Sequence, residues 1–462
     1  MSPIDLEKLS HVHIVGVGGA GMSAIAIILS ERQIHVSGSD LKASSAFERL
    51  RGYGVDLYVG HRSENIDGAD LVLISSAIRP TNVEVAAALD RGVPVIDRRA
   101  FFPTLMQGKK PLAVAGTHGK TTTTSMLALA LIKAGLEPSY IIGGELNETG
   151  TSAAYGDGDY FVVEADESDK SFLGLGAFGV VVTNVEPDHL ENYRDYADQR
   201  DHFASFVAAA DGPKVIGRYL GDTEGLIGAN VVTFSDRDES DYVARVLSTE
   251  DGNLAYSISA PDGTSIQSTL MIPGRHNVMN AAAAVAMAHQ IGVPLETSTS
   301  AISNFLGVAR RYQLKGDFHG ALVVDDYAHL PSEIDATLEA TRARYPGRRI
   351  VAIFQPHRFS RTQRLASNFA KSLAASDVVV LTDVYAAGEA SIPGVSGELI
   401  AVELNGNYPD VDVMYHPSRS DLADVVAPLV EEGDVVLTLG AGDITSLFSE
   451  MISIDSTRGF RG

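Results

Sequence analysis

Gly116-Thr117-His118-Gly119-Lys120-Thr121-Thr122 is a run whose residue types and spacing can hold a polyphosphate. A glycine turn that opens a helix aims backbone N–H groups and the positive end of the helix dipole at an anion, worth roughly 0.3–2 kcal/mol. Lys120 adds a point charge for the β- and γ-phosphates, and the Thr121 hydroxyl suits Mg²⁺. The implied chemistry is Mg-ATP binding that drives a chemical step. The general pattern has a glycine at position 114, where this chain has Val114. The match is therefore to a shorter variant, Gly-Thr-x-Gly-Lys-Thr-Thr.

Phosphoryl transfer also needs carboxylates for the metal. The apolar run Phe161-Val162-Val163 ends in Glu164-Ala165-Asp166-Glu167-Ser168-Asp169. Glu164 falls at the carboxyl end of that run, where α/β sheets bind ligands. A second run, Val180 to Asn184, leads to Glu186, Asp188 and His189. His189 is a candidate ligand for a second Mg²⁺, an unusual one because Mg²⁺ prefers oxygen.

Three further groups could bind rather than react. Gly16-Val17-Gly18-Gly19-Ala20-Gly21 holds G-x-G-x-x-G, and Asp40 closes the next apolar run. That spacing puts a diphosphate at a helix N-terminus and an acid on a ribose; NAD and another nucleotide diphosphate fit it equally. Ser75 and Ser76 end another run and are either phosphate donors or turn residues. Gly274-Arg275-His276-Asn277-Val278-Met279-Asn280 opens an Ala-rich helix, where Asn277 and Asn280 read a base edge or cap the helix. In the last third, Asp325-Asp326-Tyr327-Ala328-His329-Leu330-Pro331 follows one run and Pro356-His357-Arg358-Phe359-Ser360-Arg361 another. Arg358 and Arg361 are three apart, so on a helix they share a face and form a pair of forks for a carboxylate or phosphate. Gly307-Val308-Ala309-Arg310-Arg311, just ahead of the third unit, is placed to reach a transferred phosphate.

The elements that must position these residues alternate. Short β-branched runs at His11–Val17, Ile34–Ser37, Leu71–Ile74, Leu112–Ala115, Tyr160–Val163 and Val180–Thr183 are separated by helix-like stretches such as Met22–Arg32 and Lys120–Ala134. The same holds after Lys315-Gly316, with runs at Ala321–Val324, Arg349–Phe354, Val378–Leu381 and Val435–Leu439. The pattern predicts an α/β protein with mainly parallel sheets in three domains, 1–106, 107–316 and 317–462. Alternation between Val243 and Met271 predicts a small antiparallel insert in the middle domain, and the polar tail from Ser453 is expected to fray.

The bulk composition narrows the partners. The 462 residues carry a formal charge of −23 and no cysteine. Nucleic acid and anionic membrane both need a basic surface, so neither is expected as a partner. Disulfide and thiolate chemistry are excluded, which fits a reducing compartment. No basic and apolar leader opens the chain, and no apolar stretch approaches the ~20 residues of a membrane span, so a cytoplasmic protein is expected.

With these motifs in this order, the whole chain resembles the Mur ligases of bacterial cell-wall synthesis. The resemblance rests on Gly16–Met22, Gly116–Thr122, Glu164–Asp169 with Ser171-Phe172-Leu173, Asn184–His189, Gly274–Asn277, Gly307–Arg311, Asp325–Pro331 and Pro356–Thr362. It implies a Rossmann-like N-terminal domain for a UDP-sugar, a P-loop ATPase-like middle domain, and a Rossmann-like C-terminal domain that brings an amino acid. It implies UDP-N-acetylmuramate, ATP, Mg²⁺ and L-alanine as reactants, and a monomer or weak homodimer. Lys120 would then hold phosphates, with Thr121, Glu164 and His189 on magnesium. His276, Asn277 and Asn280 would meet adenine, Asp326 the ribose, and Arg310 the transferred phosphate. Gly18, Gly19, Ala20, Gly21, Ser39, Asp40, Ser75 and Ser76 would lie at the UDP-sugar. Tyr327, His329, Arg358 and Arg361 would form the amino-acid pocket, with His329 taking or positioning a proton. The chain departs from the family pattern at Leu330, where a second histidine is usual, and has no lysine between Lys170 and Lys214 to be carbamylated.

Other readings stay open at this point. A murein-peptide ligase of the same superfamily would share the ATP site and take a peptide instead of alanine. An NAD-dependent oxidoreductase uses Gly16–Gly21 and Asp40 but leaves Lys120 idle. A catalytically silent UDP-sugar-binding protein does not need Glu164, His189 or Arg310.

Overall fold

The computed structural model describes residues 4–458, except 76, 190–191, 229 and 251–252. Its strands form three sheets. The first holds β1 (His11–Val15), β2 (His35–Asp40), β3 (Asp56–Val59), β4 (Leu71–Ile74) and β5 (Val95–Asp97) in the order β3-β2-β1-β4-β5. All four pairings are parallel. The chain winds outward from β1 to β3, then restarts on the other side at β4. The loops after β1 and β4 therefore flank the switch point at which such sheets bind ligands.

The second sheet has ten strands: β6 (Lys110–Ala115), β7 (Ser139–Ile141), β8 (Ala153–Ala154), β9 (Tyr160–Glu164), β10 (Gly179–Val182), β11 (Lys214–Gly217), β12 (Val231–Ser235), β13 (Tyr242–Glu250), β14 (Asn253–Ser259) and β15 (Ser265–Leu270). Their order is β15-β14-β13-β12-β11-β10-β6-β9-β7-β8. β6 lies between β10 and β9, parallel to both, with Val114 opposite Glu164 and Ala115 opposite Val182. That register puts Gly116 beside Thr183, with Glu164 ending its strand opposite Val114 at the same carboxyl edge. β13 to β15 are neighbours joined by short links, which only antiparallel pairing permits; the expected insert is there.

The third sheet holds β16 (Gln313–Phe318), β17 (Ala321–Asp326), β18 (Ile350–Phe354), β19 (Val378–Leu381), β20 (Asp412–Tyr415) and β21 (Val435–Leu439), ordered β16-β17-β21-β18-β19-β20. β18, β19 and β21 are buried along their whole length, as parallel strands covered on both faces must be. β16 pairs antiparallel with β17 and takes a register shift between Leu314 and Gly316. Lys315-Gly316 is thus inside a strand, and the third sheet starts upstream of the predicted 316/317 boundary. A helix runs Leu447–Arg458 and buries Leu447 and Met451, so the expected tail is helical from Ser453 to Arg458; residues 459–462 are outside the described residues.

By packing, the chain forms two compact units, the first of which holds the N-terminal sheet. One runs to Arg245 and adds Ser257–Ser268 and Met279–Asn304; the other holds Val246–Tyr256, Thr269–Val278 and the chain from Phe305 onward. Within the first, the N-terminal and middle sheets share one apolar core that includes Ile28, Phe101, Ile141, Ala153 and Phe172. No helix among the described residues is long and apolar enough to cross a membrane.

Candidate functional site

The phosphate loop leaves β6 and enters the helix Lys120–Lys133. Two of its residues must be glycine. Gly116 (φ 131°) and Gly119 (φ 81°) are left-handed, and a Cβ would overlap Thr183 Oγ1 at the first and Asn280 Oδ1 at the second. The loop is clasped by the end of β10. Asn184 accepts from His118 N at 3.0 Å and donates to His118 O at 3.0 Å. Thr117 Oγ1 accepts from Glu186 N at 2.9 Å, and Thr183 Oγ1 donates to His118 O at 2.6 Å. His118 Nε2 lies 2.9 Å from Glu186 Oε2. The helix then stops where Gly135 turns left-handed (φ 71°).

Lys120 Nζ points back into this loop. It donates to Gly116 O at 2.7 Å and Thr117 O at 3.3 Å, and pairs with Glu167 Oε1 at 2.8 Å. Burial opposes its charge, but Glu167, Asp166 and Glu164 outweigh that and raise its pKa. Asp166 is likewise pushed up by burial, yet Lys120, Ser168 and His189 bring it below the usual range. Lys120, Glu164, Asp166, Glu167 and His189 thus share one electrostatic neighbourhood. Glu164 accepts from Gly143 N at 2.9 Å. His189 has φ 52° and lies with Nε2 3.2 Å from Asp188 Oδ2. Among the described residues no three His, Asp or Glu side chains form a ready cation cage. The donors at hand, the Glu164 carboxylate and the Thr121 hydroxyl, are oxygens of the kind Mg²⁺ takes beside water and substrate phosphates.

Asn280 is buried behind the loop, with Oδ1 against Gly119 and 3.3 Å from Thr123 Oγ1. Its side chain backs the phosphate loop. Thr122 is buried one residue beyond Thr121. In the second unit, Asn277 Nδ2 donates to Pro273 O at 2.6 Å, and His276 lies over Gly274. His276 lines a cavity of about 370 Å³ with Leu254, Arg275, Ala340 and Arg344.

At the first sheet, the helix Ala20–Glu31 begins after Gly19 with no side-chain cap and no acid in its first turn. Asp40 Oδ2 accepts from Gly18 N at 3.0 Å, closing the glycine turn onto the end of β2. Ser75 Oγ lies beside Gly16; Ser76 is outside the described residues. Arg98 lies so close over Gly21 that a Cβ there would overlap its guanidinium. Arg99 pairs with Asp169 at 2.9 Å. A cavity of about 220 Å³ is lined by Ala20, Gly21 and Arg98 and also by Gly143, Glu164 and Asp166. It therefore joins the glycine turn of the first sheet to the acidic strand end of the second.

Ser39 needs correcting. It is fully buried and its hydroxyl donates to Glu84 Oε2 at 2.6 Å, so no ligand meets that side chain. Ser39 instead belongs to a buried network. Glu84 also accepts from Asn65 at 2.6 Å, contacts His61 at 3.0 Å and lies 3.7 Å from His13. The backbone carbonyl of Ser39 accepts from Gly16 N and Val17 N, so the network underpins the glycine turn. Burial pushes the Glu84 carboxyl up, but His13, Ser39 and Asn65 outweigh it and hold the pKa at about 2. A depressed carboxyl stabilises the fold above its unfolded pKa near 4.5, and that stability is lost as pH falls towards 2. Glu84→Gln is expected to cost on the order of 3 kcal/mol at neutral pH. Thermal melts should show the gap to wild type closing between pH 4.5 and 2.

The third sheet gathers its own cluster at the carboxyl ends of β17 and β18. Arg310 (φ 64°) donates through Nη2 to Gly440 O at 2.8 Å and Gly442 O at 3.0 Å, and stacks 4.9 Å from the Tyr327 ring. Asp325, fully buried, accepts from Thr438 at 2.6 Å and Thr445 at 2.7 Å and lies 3.7 Å from Arg310 Nε. Asp326 spends both oxygens on backbone, accepting from Tyr312 N and Ala328 N at 2.8 Å each. Burial pushes its carboxyl up to about 6 against the pull of Arg311. Each Asp326 oxygen keeps a second lone pair beyond these bonds.

His329 packs edge-on to Tyr327 and His357, and its Nδ1 lies 3.2 Å from Glu333 Oε2. Arg361 is buried and meets His357 at 3.3 Å. Arg358 (φ 70°) caps the helix Phe359–Leu373 and takes its place from a bond to Tyr385 O at 2.9 Å. Leu330, in place of a second histidine, is buried and heads the helix Pro331–Arg344, while Glu333 accepts the N–H groups of His329 and Leu330. An apolar side chain fits that site because it faces the core.

Sequence reasoning singled out neither Glu84, Asn184, Glu167 nor Asp325 as site residues. Glu167 and Asp325 had a signal, an acid beside the acids chosen. Glu84 had none, because an acid in a helix's first turn reads as an exposed dipole partner.

Three family descriptions match the chain: the catalytic domain of the Mur ligase family over residues 11–110, the Mur ligase middle domain over 114–288, and the Mur ligase glutamate ligase domain over 310–442. The chain is 42% identical to a UDP-N-acetylmuramate–L-alanine ligase of Thermobifida fusca, over 96% of each chain. It is 43% identical to one from Streptomyces avermitilis, over 97% of this chain and 98% of that one. The crystal structure of the UDP-N-acetylmuramate–alanine ligase MurC of Thermotoga maritima matches with a TM-score of 0.81 at 30% identity, over 97% of this chain and 99% of that one. A murein peptide ligase from Psychrobacter arcticus matches at 0.70 and 25% identity, over 96% and 98%.

Proposed function

Because the chain belongs to the Mur ligase family, we propose that it is an ATP-dependent amide ligase that joins L-alanine to the lactyl carboxylate of UDP-N-acetylmuramate in peptidoglycan precursor synthesis. The observation that carries this reading is the cavity running from Gly21 and Arg98 to Glu164 and Asp166. An acid substrate held by its diphosphate at the glycine turn would present its carboxylate beside the phosphate loop.

A carboxylate and an ammonium do not condense in water, because oxide is a poor leaving group. The carboxylate first attacks the γ-phosphate of ATP, giving an acyl phosphate and ADP. The neutral amine of alanine then attacks the acyl carbon and phosphate leaves. Lys120 and Arg310 stabilise the charge that spreads over the transferred phosphoryl group. Thr121, Glu164 and His189 would hold Mg²⁺, which supplies charge neutralisation at the phosphates when bound. Asn184 and Thr117 keep the loop amides aimed at the nucleotide. Arg358 and Arg361 clamp the alanine carboxylate, and His329, oriented by Glu333, accepts or positions the proton lost by the amine. Acyl phosphates hydrolyse, so the reaction needs water excluded while the intermediate lives.

The test is phosphate release with ATP, Mg²⁺ and UDP-N-acetylmuramate, with and without L-alanine, and with a tripeptide as the alternative amine. Release that requires both the sugar nucleotide and alanine is the expected result. Release with the tripeptide and not with alanine would transfer the assignment to a recycling ligase.

A further inference from the structure

The ammonium of Lys120 has three protons, and all three are directed at protein: two at carbonyls of its own loop and one at Glu167. Glu167 is fully buried, and its other oxygen, Oε2, has no hydrogen-bond partner. The Tyr193 hydroxyl donates to the Glu167 backbone carbonyl at 2.5 Å, which ties that stretch of chain down without reaching its carboxylate. Lys120 is the only cation paired with Glu167 among the described residues. The two charges therefore depend on each other: either one alone would be buried and uncompensated. A lysine that is to serve β- and γ-phosphates must leave at least one of these contacts.

We propose that Glu167 is a positioning residue that holds Lys120 against the phosphate loop, so that an incoming nucleoside triphosphate must draw the ammonium away from it. This hold has two consequences. It ties the loop carbonyls and Glu167 to one charged centre, and it lowers nucleotide affinity by the strength of the contact given up. Glu167 also adds negative charge beside the triphosphate, which acts in the same direction. The role differs from that of Glu164, which hydrogen-bonds to Gly143 N and lines the substrate cavity. The inference rests on the reading of the loop as an ATP site.

Glu167→Gln keeps the shape and removes the charge. Titration calorimetry of the full chain with Mg-ATP, without sugar nucleotide, is expected to show binding about tenfold tighter than wild type, as follows from losing one charge-assisted contact in the free state. A fold merely damaged by the change would bind more weakly, and so would a site in which Glu167 ligates the metal. Unchanged or weaker binding by folded Glu167→Gln overturns the proposal. Failure of the wild-type chain to bind Mg-ATP at all would instead sink the reading of the loop. If Glu167→Gln folds poorly, thermal melts of Lys120→Met and Lys120→Met/Glu167→Gln decide the matter. The double variant is expected to melt above the single one, because it no longer buries a lone carboxylate. A double variant no more stable than Lys120→Met would overturn the pairing.

Discussion

Lys120→Met is expected to abolish phosphate release, by at least about 10³-fold in kcat, while leaving a folded protein. The magnitude follows from the chemistry. Charge builds on the transferred phosphoryl group, and a preorganised cation in a site shielded from water stabilises it far more than water does. No other lysine sits in or next to the phosphate loop, so nothing replaces it. The structure adds a second effect. The Lys120–Glu167 pair is buried, with the lysine side chain 16% and the glutamate 1% exposed. Removing one partner of such a pair costs about 3–5 kcal/mol, because the other charge remains buried. A lowered melting temperature should therefore accompany the lost activity. A variant with wild-type turnover would remove Lys120 from the reaction.

Arg310→Ala is expected to lower kcat by about 10²- to 10³-fold with a smaller change in the KM for alanine, since charge on the transferred phosphate develops mainly in the transition state. The side chain is unusually well held. Two carbonyls, Gly440 and Gly442, accept from one end of the guanidinium, Asp325 stands 3.7 Å from the other, and the Tyr327 ring covers it. Holding a fork in place before the reaction is what makes it effective, because little reorganisation is then needed when charge appears. Arg310→Lys should recover little, since a point charge on a flexible stem cannot bridge both carbonyls and stack on the ring. Steady-state kinetics with each substrate varied would check this. A rise in the alanine KM with kcat intact would move Arg310 into the amino-acid pocket.

The two variants draw on residues that were legible at different depths. Lys120 could be read directly, because a glycine turn followed by a lysine and a hydroxyl is a local pattern with a local cause. Arg310 is one of two adjacent arginines, and its selection came from resemblance. Of what holds it, the carbonyls of Gly440 and Gly442 lie far along the chain and Asp325 at the end of the next hairpin. Arg358 and Arg361 were expected to share a face at a helix start. The helix starts at Phe359, which leaves Arg358 outside it at the cap, and Arg361 is buried against His357. Ser39 was misread because its neighbour Asp40 is a sensible ligand residue, and strand alternation points the two side chains opposite ways.

By itself the sequence determined the α/β class, the three sheets, the antiparallel insert, both glycine turns and the acidic strand end. These follow from periodicity, turn chemistry and residue type, which act within a few positions of each other. The tertiary structure alone decided which acid holds Lys120, that Ser39 serves Glu84, that Asn184 clasps the phosphate loop, and that the first two sheets share one core. Each of those depends on burial and on pairings between residues tens to more than a hundred positions apart. Desolvation makes such pairings strong, and no local pattern records them.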